Sequence, residues 1–153
     1  MKALILAAGK GTRLQSEKFN LPKVLREING RPIISYVLEN INFVDPEDTI
    51  LVVGYKGEQV ISTCGTSYKY AWQTEQKGTG HAVMCAEDSF TGYDGDVIIL
   101  YGDMPLFKAD TYKAIIAKHK ETGADLTLLT CVVDNPPAYG RIIRDEAGKV
   151  MDI

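Results

Sequence analysis

The sequence predicts an α/β domain: a Rossmann-like, three-layer αβα arrangement with a mostly parallel central sheet. Three observations lead there. Strand-like apolar runs alternate along the chain with amphipathic segments of helical period. The first run, Ala3 to Ala7, is continuously apolar, as a strand buried on both faces must be, and a glycine-rich loop ends it. A second continuous run, Val97-Ile98-Ile99-Leu100, has the same character and reads as the central strand.

Between these runs the elements follow in order. Pro32 to Asn42 reads as a helix with proline at its first position and Ile33, Tyr36, Val37 and Ile41 on one stripe. Thr49 to Val53 is the next strand, closed by Gly54, and Gly57 to Thr63 a short helix. Tyr68 to Trp72 is a further strand. Gly78-Thr79-Gly80 opens a helix to about Asp88, with Thr79 as the candidate N-cap and Ala82, Cys85 and Ala86 facing inward. Asp96 to Tyr101 is the central-strand candidate, Asp110 to Glu121 a helix, and Ala124 to Val133 another strand. Arg141 to Ile143 and Lys149 to Met151 read as a hairpin joined by Asp145-Glu146-Ala147-Gly148.

Size and composition narrow the function classes. With 153 residues, 45% of them hydrophobic and 24% charged, the chain has the makeup of one globular domain and is too apolar for disorder. A formal net charge of -3 argues against a nucleic-acid partner, because neutralising many phosphates takes a broad Lys/Arg excess. The three cysteines, Cys64, Cys85 and Cys131, are odd in number and too far apart for a zinc site, so buried reduced thiols are expected. No stretch approaches the roughly 20 apolar residues of a membrane span, and the expected compartment is the cytoplasm.

The segment richest in chemistry is Leu6-Ala7-Ala8-Gly9-Lys10-Gly11-Thr12-Arg13-Leu14. Its glycines permit positive φ and let main-chain N–H groups approach an anion with no Cβ in the way, so phosphate is the natural guest. Two familiar motifs are excluded on spacing. The dinucleotide fingerprint needs a small residue where Leu14 stands, and the Walker pattern needs a glycine that no site supplies. Taken bare, Asp103 after a strand reads as a turn or cap residue and Gly140 as a turn glycine.

The glycine segment followed by Leu21-Pro22-Lys23-Val24-Leu25 resembles the signature of the sugar-phosphate nucleotidyltransferases. Gln73 to Ala82, Leu100-Tyr101-Gly102-Asp103-Met104-Pro105-Leu106 and Tyr139-Gly140-Arg141-Ile142 follow in the order found in uridyltransferase domains specific for N-acetylglucosamine 1-phosphate. The resemblance covers essentially the whole chain, as one nucleotidyltransferase domain over residues 1–153 with the nucleotide-diphospho-sugar transferase fold. It implies transfer of a nucleotidyl group from UTP to an amino-sugar 1-phosphate, with Mg²⁺ as cofactor. Arg13 and Lys23 are the implied catalytic cations; Leu6, Ala8, Gly9, Gly11, Thr12, Gln73, Gln76, Gly78 and Thr79 join them in gripping the nucleotide. Tyr101, Gly102 and Gly140 are the implied sugar contacts, and Asp103 the metal ligand.

Physical chemistry makes sense of these types. Arg13 offers phosphate a planar fork and Lys23 a point charge. A carboxylate at the end of a central strand lies where open sheets place their crevice. An amide such as Gln73 or Gln76 presents donor and acceptor together, suiting uracil. His81 and His119 are read as structural, since the attacking oxygen is already an anion and needs no general base.

Against the family spacing, Phe19-Asn20 looks like an insertion ahead of Lys23. The ending at Met151-Asp152-Ile153 is expected to be a cut within a longer protein, with further sugar and metal ligands beyond it. Three readings stay open: this uridyl transfer, a related transfer using another nucleotide or phosphate acceptor, and a nucleotide-binding module without turnover. Self-association is left open as well.

Overall fold

The computed structural model of the chain describes residues 1–11, 20–134 and 140–152. Its centre is a four-stranded, fully parallel sheet. β1 (Lys2–Leu6) lies between β4 (Thr49–Val53) and β6 (Val97–Tyr101), with β5 (Lys69–Trp72) outside β4. In register, Ile5 stands opposite Leu51 on one side and Leu100 on the other. Side chains alternate across a strand, so each strand feeds two cores. Ala3, Ile5, Leu51, Val53 and Leu100 pack with Ile34 and Val37 of α1 (Ile33–Asn40), Val60 of α2 (Gly57–Cys64) and Tyr112 of α4 (Ala109–Thr122). On the other face Leu4, Ile50 and Val52 pack with Ala71 and with Ala82 of α3 (Thr79–Met84). These are the three expected layers.

Two small antiparallel pairs lie outside this sheet. β2 (Glu27–Ile28) pairs with β3 (Arg31–Pro32), and β7 (Ile143–Arg144) with β8 (Val150–Asp152). The second is the expected hairpin, though Arg141 and Ile142 stay outside its strands. Its turn is closed by Asp145, whose Oδ1 accepts from the amides of Ala147 at 3.0 Å and Lys149 at 2.8 Å. Gly148, at φ 83°, takes the left-handed position such a turn demands. No helix of the described residues is long and apolar enough to cross a membrane.

Five expectations need correction. β6 is not central; it is the edge of the described sheet, and Val97 (38%), Ile99 (46%) and Tyr101 (45%) are exposed on one face while Leu100 is 4% exposed. Its continuous apolar run allows burial on both sides, but the residues of α3 pack with Leu4, Ile50 and Val52 of β1 and β4 on that face. Ala124 to Val133 forms no strand. Its β-prone residues find no ladder partner among the described residues, and Val132 is fully exposed. Pro32 is the N-cap of α1 and belongs to β3; the buried stripe includes Ile34, while Tyr36 is only half-buried and donates its hydroxyl to the carbonyl of Ile28 at 2.7 Å. Gly78, not Thr79, caps α3; at φ 99° it makes a chain reversal that threonine would resist. α3 also ends at Met84, and Glu87–Phe90 follows as a separate 3₁₀ turn.

The cysteines depart from expectation too. All three are free thiols, yet Cys131 is exposed, and Cys64 and Cys85 are half-buried. Burial pushes the Cys64 thiol up to about 11. The thiolate is the nucleophile, so at pH 8 Cys64 should alkylate roughly a hundredfold more slowly than an exposed cysteine. Timed iodoacetamide labelling read by peptide mass should therefore modify Cys131 first and Cys64 last.

Candidate active site

Because the four strands run parallel, their carboxyl ends share one edge, and the loops leaving them converge there. The loop after β1 is stitched to its neighbours by main-chain bonds. The Ala7 amide donates to the Val52 carbonyl at 2.8 Å, and the Tyr55 amide to the Ala8 carbonyl at 3.3 Å. The Gln73 amide donates to the Val53 carbonyl at 2.8 Å. Gly54 stands where these loops meet: a Cβ there would lie 2.8 Å from the Gln73 carbonyl oxygen and 2.9 Å from the Ala8 Cβ. Beyond Ala8 the chain opens. A Cβ on Gly9 would meet nothing within 4 Å, and Gly11 takes the left-handed conformation at φ 71°. Leu6 thus ends β1, and Ala8, Gly9 and Gly11 lie on the loop that follows it, whereas Thr12 and Arg13 lie outside the described residues.

Lys23 is held by the 3₁₀ turn Lys23–Leu25, anchored by its buried neighbours Val24 and Leu25. Its ammonium donates to Oδ2 of Asp103, 80 residues away in sequence, and their side chains are 34% and 25% exposed. The intervening residue that makes this meeting possible is Gly102. Its amide donates to the Leu6 carbonyl at 2.9 Å, and a Cβ on it would come within 3.1 Å of that oxygen and 3.2 Å of Val24 Cγ1. The absence of a side chain lets the end of β6 approach both β1 and the Lys23 turn without crowding either. Tyr101 is exposed just before it, and Gly140 is exposed ahead of β7, with nothing among the described residues joining it to Lys23 or Asp103.

Gln73 is buried at 4% exposure, while Gln76, Gly78 and Thr79 are exposed. Its Nε2 donates to the Gly78 carbonyl at 3.0 Å and lies 3.1 Å from His81 Nδ1. The glutamine thus braces the loop that precedes α3 from inside.

Sequence reasoning missed Tyr55 and Lys56. Lys56, left-handed at φ 52°, donates its ammonium to the Asn20 carbonyl at 2.9 Å and to the Asn20 side-chain oxygen. This tether falls on the apparent insertion ahead of Lys23. Lys10 and Lys56 both lie over the Tyr55 ring, 6.0 and 5.5 Å from its centroid. The available signal was position: both residues follow the carboxyl end of a strand beside β1.

Among the described residues no group of three or more His, Cys, Asp or Glu side chains could hold a metal by itself. Magnesium does not require one, since it is commonly bound through one or two carboxylates and completed by substrate phosphates and water. Asp103, partly exposed just past the carboxyl end of β6, fits that mode.

A parallel sheet whose strand ends carry a glycine-rich turn, a lysine and a facing carboxylate has the layout of an enzyme that handles nucleoside phosphates. The chain belongs to the nucleotidyl transferase family, whose model matches residues 2–153. It is similar to the bifunctional protein GlmU of Latilactobacillus sakei subsp. sakei (strain 23K), with 44% identity over 151 residues, 99% of this chain and 32% of that protein. To the bifunctional protein GlmU of Heliobacterium modesticaldum (strain ATCC 51547 / Ice1) it is 45% identical, again over 99% of this chain and 32% of that one. The chain therefore spans about a third of the length of these relatives. In fold it is similar to the solved mannose-1-phosphate geranyltransferase from Thermus thermophilus, with a TM-score of 0.68 and 22% identity over 81% of this chain and 38% of that one.

Proposed function

We propose that this chain carries the nucleotide-gripping site of a Mg²⁺-dependent uridyltransferase that joins UTP and N-acetylglucosamine 1-phosphate into the UDP-sugar, releasing pyrophosphate. The observation that carries it is the pairing of Lys23 with Asp103 beside the open glycine turn. A cation and a carboxylate meet where Gly102 bonds to Leu6 at the end of β1, the strand from which the glycine turn leaves.

In this reaction an oxygen of the sugar 1-phosphate attacks the α-phosphorus, and the bond from that phosphorus to the β-phosphate oxygen breaks. Both nucleophile and leaving group are anions, so catalysis is mostly placement and charge neutralisation. The Gly9–Gly11 amides would cradle the triphosphate, with Thr12 and Arg13 continuing that grip. Lys23 would leave its carboxylate partner to meet the developing charge on the α-phosphate. Asp103 would hold Mg²⁺ against the phosphate oxygens, and the bound ion would supply Lewis-acid charge neutralisation. Gln73 and Gln76 are assigned to the base, Gly78 and Thr79 to base and ribose, and Tyr101, Gly102 and Gly140 to the sugar.

The test is to incubate the purified chain with each nucleoside triphosphate, Mg²⁺ and a panel of sugar 1-phosphates, following pyrophosphate. Release with UTP and the amino-sugar phosphate is expected. Release with CTP alone overturns the base assignment, and UTP binding without release would make the chain a nucleotide-binding module.

A further inference from the structure

His81 has no part in the chemistry above, yet it faces the one buried glutamine of the base segment. Gln73 Nε2 carries two hydrogens. The Gly78 carbonyl can only accept, so the atom 3.0 Å from it must be the nitrogen, which settles the orientation of the amide. The second hydrogen is then directed at His81 Nδ1, 3.1 Å away, and that nitrogen must be an unprotonated acceptor. The proton of the neutral ring therefore resides on Nε2. The Cys85 thiol lies 3.8 Å from both ring nitrogens. Both contacts of the amide are made by Nε2, so neither of them engages the remaining polar atom, Gln73 Oε1.

We infer that His81 is a positioning residue for base selection: by accepting from Gln73 it locks the amide so that Oε1 alone faces an incoming base. A lone acceptor at that place welcomes a base carrying a ring N–H and rejects one that presents a lone pair there. Uracil has the hydrogen at N3; cytosine has the lone pair. The lock thus selects UTP over CTP, and this inference rests on the reading of Gln73 as a base contact.

Calorimetric titration of UTP and of CTP into the wild-type chain, His81→Leu and His81→Asn tests it. The asparagine oxygen falls near the position of Nδ1 and restores the acceptor. The UTP-to-CTP affinity ratio should fall about tenfold in His81→Leu, the scale expected when a buried donor loses its partner, and recover in His81→Asn. An unchanged ratio in His81→Leu, or no recovery in His81→Asn, overturns the lock. A wild-type chain that does not prefer UTP instead removes the base reading beneath it. Should leucine prevent folding, ¹⁵N spectra of the wild-type His81 ring decide: a proton on Nε2 supports the lock, and one on Nδ1 overturns it.

Discussion

Asp103→Asn is expected to lower pyrophosphate release from UTP and an amino-sugar 1-phosphate by about 10²- to 10³-fold, the loss typical of removing one electrostatic stabiliser of a transition state. The substitution keeps the shape and removes the charge. It withdraws the carboxylate proposed to hold Mg²⁺ and leaves Lys23 without its ionic partner. The fold should survive, because Asp103 follows β6 at the rim and belongs to neither core. Thermal melts within a few degrees of wild type, beside the lost turnover and lost Mg²⁺ dependence of UTP binding, would establish a chemical role. Turnover within about threefold of wild type would remove Asp103 from the mechanism.

Gly54→Ala is expected to be the most damaging small change to the scaffold. The added methyl group would stand 2.8 Å from the Gln73 carbonyl oxygen, 2.9 Å from Ala8 Cβ and 3.1 Å from the Ala8 carbonyl oxygen. Two of these neighbours are main chain and the third is a Cβ, so none can swing aside. Overpacking of this kind costs about 1–3 kcal/mol, and at roughly 2–4 °C per kcal/mol a domain of this size should melt several degrees lower. The strain falls where the phosphate turn meets the base segment, so UTP affinity should drop with stability. A useful contrast is Gly57→Ala, whose methyl would come within 2.6 Å of the Trp72 ring but no nearer than 3.1 Å to a fixed neighbour, the Val53 Cβ. Trp72 is 42% exposed and its ring can turn toward solvent, so the melt should shift by less than half as much. Equal shifts in the two variants would contradict this distinction between backbone and side-chain neighbours.

Much of the fold was legible from local pattern. β1 and β4 are where continuous apolar runs placed them, since such runs suit only strands covered on both faces. The glycines of the first loop and the order of the motifs pointed to the family that the full-length match establishes. β6 shows the limit of the same reasoning. Its apolar run is as continuous as that of β1, but burial depends on what lies over each face, and over Val97, Ile99 and Tyr101 little does. Ala124 to Val133 carries strong β preference, yet a strand exists only with a partner to accept its main-chain bonds.

The site divides in the same way. Sequence by itself determined which chemical groups are present: the Gly9–Gly11 turn, Lys23 just past Pro22, Asp103 at the end of an apolar run, and two glutamines before a helix. Tertiary structure alone decided which of them meet. It brought Lys23 to Asp103 across 80 residues, turned Gln73 inward to Gly78 and His81, and tied Lys56 to Asn20. The physical reason is range. Periodicity and turn preference are set by neighbours within a few residues, whereas an ion pair or a buried amide is set by whichever distant segments the parallel register of the sheet delivers to its carboxyl edge.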